Sequence, residues 1–434
     1  MSERTILVWF RNDLRVHDNE ILLEATRKAD KVLPVFCFDP FYFKQTETGG
    51  LKTGGFRTRF LIESVADLRN NLRALGAELI IRTGDPVEII PQLAAEYQVN
   101  EVYHHREVAF EETAISEQVE AALWKTRLNL KHFIGHTLYH KEDLPFPIKD
   151  IPDSFAVFKK KVERDSNVRA VAATPEQIST PEITDAGELP TLQDLGLEAP
   201  YDDPRATMQF TGGETIALQY LNQYLTNKEP LNSKAARNPQ IVAEVSSKLS
   251  PWLALGCISP RQVYWEVVEH ERSNSHNNPL ITELLWRDYF RFMFKKHGRK
   301  FFNSEGFKTE APETGTNQDK LFKQWQTGNT GIPYVDAAMH ELNATGYINN
   351  YSRQIVAGYL VRDLKVDWTR GAIYFEEKLI DYSPASNWGN WAFVAGVGND
   401  PRDNRNFITR TAEELETKSA FIDTWLPVNE TTAA

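Results

Sequence analysis

The chain has 434 residues, of which 41% are hydrophobic and 25% are charged, so it is long enough for two globular domains. It contains no run of about 18 apolar residues and no amino-terminal signal pattern, so we expect a cytoplasmic protein without membrane contact. The formal charge of −11 argues against a basic coat for duplex nucleic acid, although it allows a local basic strip around a concave site.

The first 140 residues alternate between apolar runs and amphipathic segments. The runs predict buried parallel strands at Thr5–Phe10, Val32–Phe38, Leu79–Arg82, Val102–His105 and Leu130–Ile134. Between them, apolar residues recur every three to four positions, as in FRTRFLIESVADLRNNLRALG, where Gly76 is placed to end a helix. This order predicts a doubly wound α/β domain with ligands at the carboxyl ends of its strands. The segment TGGLKTGG lacks the P-loop order, and no GxGxxG follows the first strand.

The rest of the chain changes character twice. Residues 141–210 are rich in Pro, Thr, Asp and Glu, which predicts a linker with a short helix near 154–162. Residues 211–434 have a helical pattern, so we predict an α/β domain over 1–140 and an all-helical domain over 211–434. Cys37 and Cys257 lie in apolar segments, which indicates reduced buried thiols, and no Cys/His cluster has zinc spacing, so we expect no metal.

Three segments of the second half carry residues suited to a polar aromatic ligand. The serines of SSKLSPW precede a helix start, which suits a phosphate, although these residues on their own favour plain helix capping. Glu283, Trp286 and Arg287 share a helix face that could hold a nucleobase or could be an ion pair beside a core tryptophan. Asn350, Arg353, Gln354 and Ala357 form a polar face on a helix predicted over 350–364, where Arg353 needs a partner and Asp381 is the obvious one.

The segment DYSPASNWGNWAFVAGVGND, residues 381–400, is the most informative of the chain. It sets Trp388 and Trp391 among amides and glycines, which allow close approach to a flat ligand, hydrogen bonds to its edges, and electron transfer through indole. A glycine-rich turn between two core aromatics is the alternative for this segment. Asp367-Trp368 lies close before it in the chain and could extend an electron route.

Nearly the whole chain resembles the cryptochrome/photolyase family, most closely its cryptochrome DASH branch. The resemblance rests on LVWFRNDLRVHDNEILLEA, SSKLSPWLALGCISPR, ELLWRDYFRF, WQTGNTGIPYVDAAMHELNATGYINNYSRQIVAGYL and SNWGNWAFVAGVGNDPR, in that order. It implies an amino-terminal antenna domain, followed by a helical, photolyase-like domain that holds FAD without a covalent bond. The implied partner is DNA, preferentially single-stranded and carrying pyrimidine dimers; no obligate protein partner is evident, and we expect a monomer.

The resemblance also implies roles for individual residues. Those implied to bind FAD are Ser246, Ser247, Lys248, Leu249, Ser250, Arg287, Asn350, Arg353, Asp381, Tyr382, Ser383 and Asn387. Those implied to contact the flipped pyrimidine dimer are Glu283, Trp286, Arg287, Gln354 and Trp388. Trp391 and Trp368 match the electron-transfer chain, and Asn387 would tune the flavin. Glu107 matches the position that contacts a folate antenna, 5,10-methenyltetrahydrofolate, in some members.

Four positions depart from the family pattern. Ser233 replaces a tyrosine of the phosphate site, Tyr351 replaces an arginine, and Ser383 stands where a second aspartate is expected near the flavin. Gly315 replaces the tryptophan at the surface end of the three-tryptophan relay, so we expect slow photoreduction with an external donor.

The leading hypothesis is a light-driven lyase that splits cyclobutane pyrimidine dimers by electron transfer from reduced FAD. A blue-light photoreceptor with little repair activity is the main alternative. An ordinary flavin oxidoreductase is a third reading, which lacks a nicotinamide fingerprint.

Overall fold

The computed structural model describes residues 3–46, 50–227, 246–271, 278–399 and 420–426. Ser233 and part of TGGLKTGG lie outside these ranges. A five-stranded parallel sheet occupies the amino-terminal part, in the order β3-β2-β1-β4-β5. Its strands are β1 Thr5–Phe10, β2 Lys31–Phe38, β3 Ile80–Thr83, β4 Glu101–His105 and β5 Leu130–Phe133. The doubly wound α/β prediction is therefore confirmed, with each strand boundary within one residue of its predicted place.

Four helices connect these strands and cover the sheet: α1 Glu20–Lys28, α2 Gly55–Ala74, α3 Pro86–Glu96 and α4 Phe110–Trp124. Gly76 follows α2 with a φ of +87°, a left-handed conformation that glycine adopts without strain. Side chains of β1 and β2 alternate between two apolar layers, so that Val8 and Leu7 belong to opposite faces of the sheet. Because both faces are covered, the two central strands β1 and β2 are nearly continuous apolar runs.

Beyond the sheet, the described residues form helices and no further strand, which confirms the second half of the fold prediction. Residues 166–213 contain neither a helix nor a strand. The helices that follow the sheet are α5 Phe155–Asp165, α6 Glu214–Asn227, α7 Ser250–Ala254, α8 Pro260–Glu271, α9 Pro279–His297, α10 Gln318–Gln326, α11 Pro333–Thr345, α12 Asn350–Gly358, α13 Trp368–Lys378, α14 Pro384–Val394 and α15 Ala420–Trp425. The helix predicted over 350–364 ends earlier as α-helix and continues as one π-helical turn, Tyr359–Asp363.

The tryptophan-rich segment forms α14, so the glycine-rich turn is not what the chain adopts there. Pro384 occupies the first turn of the helix, where its missing N–H costs nothing. Gly389 lies inside α14 because the ring of Phe290 packs directly against its Cα, in the space that a Cβ would occupy. The glycine is therefore a packing requirement between α14 and α9.

Buried polar contacts join the α/β part to the helical part. Asp288 of α9 accepts hydrogen bonds from the N–H groups of Leu138 and Tyr139, each at 2.9 Å. Arg261 of α8 binds Asp18 at 2.7 Å. The division at residues 140 and 210 stays a prediction. Within the described ranges, no helix is both long and apolar enough to cross a membrane, and no group of three or more His, Cys, Asp or Glu side chains could hold a metal. Both cysteines are free and buried.

Candidate flavin site

A cavity lies between α12, α13 and α14 and encloses about 500 Å³ of empty space, part of it open to solvent. We call it the central cavity. Its lining consists of Asn350, Arg353, Gln354, Ala357, Phe375, Leu379, Asp381, Tyr382, Ser383, Ser386, Asn387, Asn390, Trp391 and Val394. The polar face predicted on α12 and the segment that begins at Asp381 therefore meet at one concave surface.

Arg353 and Asp381 form an ion pair at the wall of this cavity. One guanidinium nitrogen of Arg353 donates to both carboxylate oxygens of Asp381, at 3.0 and 2.9 Å. The Nε of Arg353 donates to the carbonyl of Ile348 at 2.8 Å, which fixes the orientation of the guanidinium. The Asp381 side chain is only 2% exposed, so the pair holds a charge that could not be buried alone.

Asn387 is held in place by a hydrogen bond to helix α13. Its side-chain nitrogen donates to the carbonyl of Ala372 in α13 at 2.9 Å. With that nitrogen engaged by the backbone, the amide of a buried asparagine has a fixed orientation at the cavity wall. Trp391, one helical turn further along α14, contributes an indole to the same wall.

The serine-rich segment before α7 lies beside this arrangement. Lys248 has a φ of +49°, and its Nζ contacts the hydroxyl of Thr207 at 3.2 Å. The hydroxyl of Ser247 accepts a hydrogen bond from the N–H of Leu249 at 3.5 Å, and Ser246 precedes it in the same loop. Burial lowers the pKa of Lys248. Plain capping does not explain a lysine held in the left-handed region, a strained conformation for a residue with a Cβ.

Two residues that sequence reasoning missed connect this segment to the central cavity. Tyr347 hydrogen-bonds to the side chain of Ser250, and the guanidinium of Arg353 lies over its ring at 5.4 Å. Glu341, on α11, is 9% exposed, and one of its carboxylate oxygens is buried with no hydrogen-bond partner among the described residues. Burial raises the pKa of Glu341 to about 7, against the opposing charges of Lys248 and Arg353. Glu341 shares its helix with Asp336 and His340, so its residue type gave no distinct signal in the sequence.

The residues expected to contact DNA are less completely assembled. Gln354 lines the central cavity, and Glu283 is exposed on α9. Trp286 is stacked on Phe155, with ring centroids 3.6 Å apart and an interplanar angle of 13°. One face of the indole that was expected to stack on a lesion is therefore covered by the first residue of α5.

Two predicted contacts lie elsewhere in the structure. Arg287, expected at both FAD and DNA, donates to the backbone carbonyls of His136 and Leu253, because its side chain points into the contact between α9 and the α/β part. Trp388, expected to face the lesion, is 6% exposed and packs against Trp368 with centroids 5.7 Å apart. Trp391 lines the central cavity, whereas Trp388 is not among its lining residues.

Glu107 lies in a second cavity, at the carboxyl ends of β1 and β2, which encloses about 1020 Å³ of partly open space. Glu107 is 2% exposed, accepts a hydrogen bond from Arg291 at 2.7 Å and another from Asn12 at 2.9 Å. Burial acts to raise the pKa of Glu107, but His136 and Arg291 outweigh it and the net shift is downward. Burial and the charge of Glu107 raise the pKa of the neighbouring Glu112.

Comparison with known proteins identifies the family. The family model described as "DNA photolyase" matches residues 6–179, and that described as "FAD binding domain of DNA photolyase" matches residues 280–433. The chain is 46% identical over 433 residues to "Cryptochrome DASH" of Gloeobacter violaceus, which covers 98% of this chain and 86% of that protein. The chain belongs to the cryptochrome/photolyase family.

Further members extend the likeness to organellar and archaeal proteins. "Cryptochrome DASH, chloroplastic/mitochondrial" of Arabidopsis thaliana is 42% identical, covering 97% of this chain and 75% of that protein. The crystal structure of the Synechocystis sp. PCC6803 cryptochrome superposes with a TM-score of 0.88 at 38% identity, over 98% of this chain and 90% of that one. The archaeal photolyase from Sulfolobus tokodaii, whose structure is described as holding two FAD molecules, has a TM-score of 0.77 at 26% identity, over 97% and 90% of the two chains.

As a member of this family with an FAD-binding domain, the chain is a photolyase-like flavoprotein. Its central region fits the cofactor chemically. Arg353 and the amides of Asn387 and Gln354 supply hydrogen bonds for a polar ring system. The unpaired carboxylate oxygen of Glu341 is an acceptor suited to sugar hydroxyl groups, since a buried polar atom without a partner is costly.

Two of the departures from the family pattern are visible at the site. Ser383 lines both the central cavity and the second cavity, so position 383 presents a hydroxyl group to them. Gly315 lies at an open hollow beside Asp367 and Arg370. A Cβ at Gly315 would meet the Lys365 side chain at an ordinary 3.4 Å, so position 315 has room for a small side chain.

Proposed function

We propose that this chain is a light-driven lyase that splits cyclobutane pyrimidine dimers, preferentially in single-stranded DNA. The observation that carries the proposal is the central cavity, where the pair of Arg353 with buried Asp381, together with Asn387 and Trp391, meets the polar face of α12. Bound reduced FAD would supply the chemistry, because on absorbing blue light it can pass an electron to the dimer and recover it after the ring bonds break.

The protein's own residues would hold and tune the cofactor. The Arg353–Asp381 pair would place a fixed positive charge beside the ring system, and Asn387 would present an oriented amide to it. Ser246, Ser247, Lys248, Leu249 and Ser250 would hold the phosphates, an assignment that rests on the resemblance of their sequence. Glu341 and Tyr347 would lie between the two groups of contacts.

The substrate proposal rests on Gln354 at the cavity and on Glu283 and Trp286 nearby on α9. An exposed carboxylate could hydrogen-bond a pyrimidine edge, and an indole offers a stacking face. For a base to stack on the covered face, Phe155 would have to leave Trp286. Two features favour single-stranded DNA. The net charge of −11 argues against a basic surface for duplex DNA. Extruding a base from a duplex also costs a few kcal/mol that a single strand largely avoids.

The second cavity is the proposed position of an antenna chromophore. It lies where ligands bind in doubly wound sheets, at the carboxyl ends of β1 and β2, and Glu107 is one of its lining residues. The sequence favours 5,10-methenyltetrahydrofolate at Glu107, whereas the Sulfolobus tokodaii structure is described with a second FAD. Absorption spectra of the chromophores released from purified protein distinguish a folate from a second flavin.

A photoreceptor with little repair activity is the second candidate, and the stacking of Phe155 on Trp286 favours it. The test is incubation of prereduced protein with single-stranded oligonucleotides containing a thymine dimer, under blue light and in the dark. Light-dependent loss of dimers supports the lyase, and equal dimer content in light and dark contradicts it. The cytoplasmic location also stays a prediction, since three relatives are named chloroplastic/mitochondrial.

A further inference from the structure

The two tryptophans that match the electron-transfer chain, Trp391 and Trp368, pack against different aromatic neighbours. The ring of Trp391 packs against Trp325 of α10, with centroids 6.2 Å apart and an interplanar angle of 73°. Trp368, which the family pattern places second in the relay, packs instead against Trp388 at 5.7 Å. The route beyond Trp368 ends near Gly315, where the next indole is missing.

Trp325 continues from Trp391 towards the surface. It is 0% exposed, its indole N–H donates to the carbonyl of Val356 at 2.9 Å, and its ring lies 5.7 Å from that of Tyr374. Tyr374, on α13, is half-buried, and its hydroxyl hydrogen-bonds to the side-chain oxygen of exposed Asn343. Three redox-active rings therefore run in contact from the central cavity to solvent.

We propose that Trp391, Trp325 and Tyr374 form the electron relay that reduces the flavin in this protein. In light, Trp391 gives one electron to the oxidised flavin, Trp325 gives one electron to Trp391, and Tyr374 gives one electron to Trp325. Tyr374 loses its phenol proton to water at its exposed end. An added thiol then returns one electron and one proton to Tyr374, so the net transfer is one electron from thiol to flavin.

The chemistry of the last member explains why this route can work. A tyrosine that loses its proton on oxidation becomes neutral, and return of the electron must then wait for a proton. A phenol is protonated at neutral pH and therefore has a proton to lose, and burial of Tyr374 raises its pKa further. Gly315 alone predicts slow photoreduction, whereas this relay predicts that the flavin is photoreduced through Trp325 and Tyr374. The relay proposal depends on FAD binding and does not depend on dimer repair.

The test compares Trp325→Phe and Tyr374→Phe with the wild type, without DNA and with the flavin oxidised. Transient absorption follows flavin reduction after a blue-light pulse, and electron paramagnetic resonance detects the tyrosyl radical. We expect a tyrosyl signal in the wild type and its loss in both variants, with faster recombination of the light-induced radical pair. Trp265→Phe and Tyr201→Phe are matched controls at exposed positions and should keep the signal.

The relay is contradicted if both variants keep wild-type photoreduction, if Trp368→Phe alone abolishes it, or if the wild type forms no light-induced tyrosyl radical. Tyr374→Phe preserves the ring that packs on Trp325, so it reports on the route even if Trp325→Phe fails to fold. Repair is assayed with chemically reduced flavin, so failure of the relay and failure of the lyase are separate results.

Discussion

At the scale of single residues, the central cavity is held together by a charge pair that neither partner could sustain alone. Asp381 is buried and both of its oxygens face Arg353. Desolvation makes a buried pair weakly stabilising overall, but removing one member leaves a charge without compensation. The pair therefore acts as a constraint on the shape of the cavity more than as a source of stability.

Replacing Arg353 with alanine should lower the free energy of unfolding by roughly 3–5 kcal/mol, because Asp381 remains buried without its partner. The same change should reduce the flavin bound per chain, which flavin absorbance measures. Arg370→Ala is the matched control, since Arg370 pairs with an Asp319 side chain that is 96% exposed. If denaturant titrations show equal losses of unfolding free energy in the two variants, Arg353 does not compensate the buried charge of Asp381.

The carboxyl group of Glu341 should make stability depend on pH. Its pKa rises from 4.5 in the free side chain to about 7 in the fold. The folded state thus binds the proton more tightly, and stability falls as pH rises through that interval. Glu341→Gln cannot ionise, so it should gain stability relative to the wild type between about pH 5 and about pH 8. Urea unfolding at both pH values measures the stability of the variant and the wild type, with exposed Glu313→Gln as the control. If the stability difference between Glu341→Gln and the wild type is the same at both pH values, Glu341 is already charged at the lower pH, which contradicts the raised pKa.

Sequence reasoning located the residues whose type is unusual for their setting. Arg353 stands out because a guanidinium is a poor core group, so its position on a predicted helix indicated a polar cavity. Asn387 stands out because it is an amide beside two tryptophans and several glycines. Tyr347 and Glu341 were missed because each is unremarkable in its own segment. Their role depends on Ser250 and Lys248, about ninety residues earlier in the chain.

At the scale of elements, the sheet was the most predictable part of the fold. Strands β1 and β2 are buried on both faces and are nearly continuous apolar runs, so their limits are visible in the sequence to within one residue. Helix α14 was ambiguous because Gly389 and Pro384 are typical of turns. The reason for Gly389 lies on α9, where Phe290 fills the space that a side chain would need.

Gly389→Ala should therefore destabilise the protein, although alanine is the better helix former. The added methyl meets the Phe290 ring, and overpacking of this kind costs about 1–3 kcal/mol. Gly315→Ala is the control, because its Cβ would meet Lys365 at an ordinary 3.4 Å. Thermal unfolding compares them. An increase in stability for Gly389→Ala would mean that helix propensity outweighs packing at this contact.

At the scale of the whole molecule, the α/β part and the helical part meet through buried charges. Asp288, Arg291 and Arg261 reach from α8 and α9 to residues near β1, β4 and β5. These partners are separated by 150 residues or more in the chain. Arg287 contacts His136 across a similar separation, which its helix face alone does not reveal, so the sequence suggested a ligand contact instead. The guanidinium of Arg287 binds carbonyls on both sides of this contact.

The same arrangement places the two cavities side by side, with Tyr382 and Ser383 in the lining of each. The guanidinium of Arg57 lies over the Tyr382 ring at 4.6 Å on the side of the second cavity. A chromophore in the second cavity would therefore be separated from a flavin in the central cavity by little more than this wall. The shared wall supports the proposal that light absorbed by one group is used by the other.

The most direct test of the central claim is repair of a thymine dimer by protein with prereduced flavin, followed in blue light and in darkness. Parallel reactions use single-stranded and duplex substrates, and Glu283→Gln is compared with exposed Glu269→Gln. We predict light-dependent dimer loss that is faster in single strands, slowed by Glu283→Gln and unaffected by Glu269→Gln. Equal dimer content in light and dark, with flavin bound and reduced, would contradict a lyase and favour a photoreceptor.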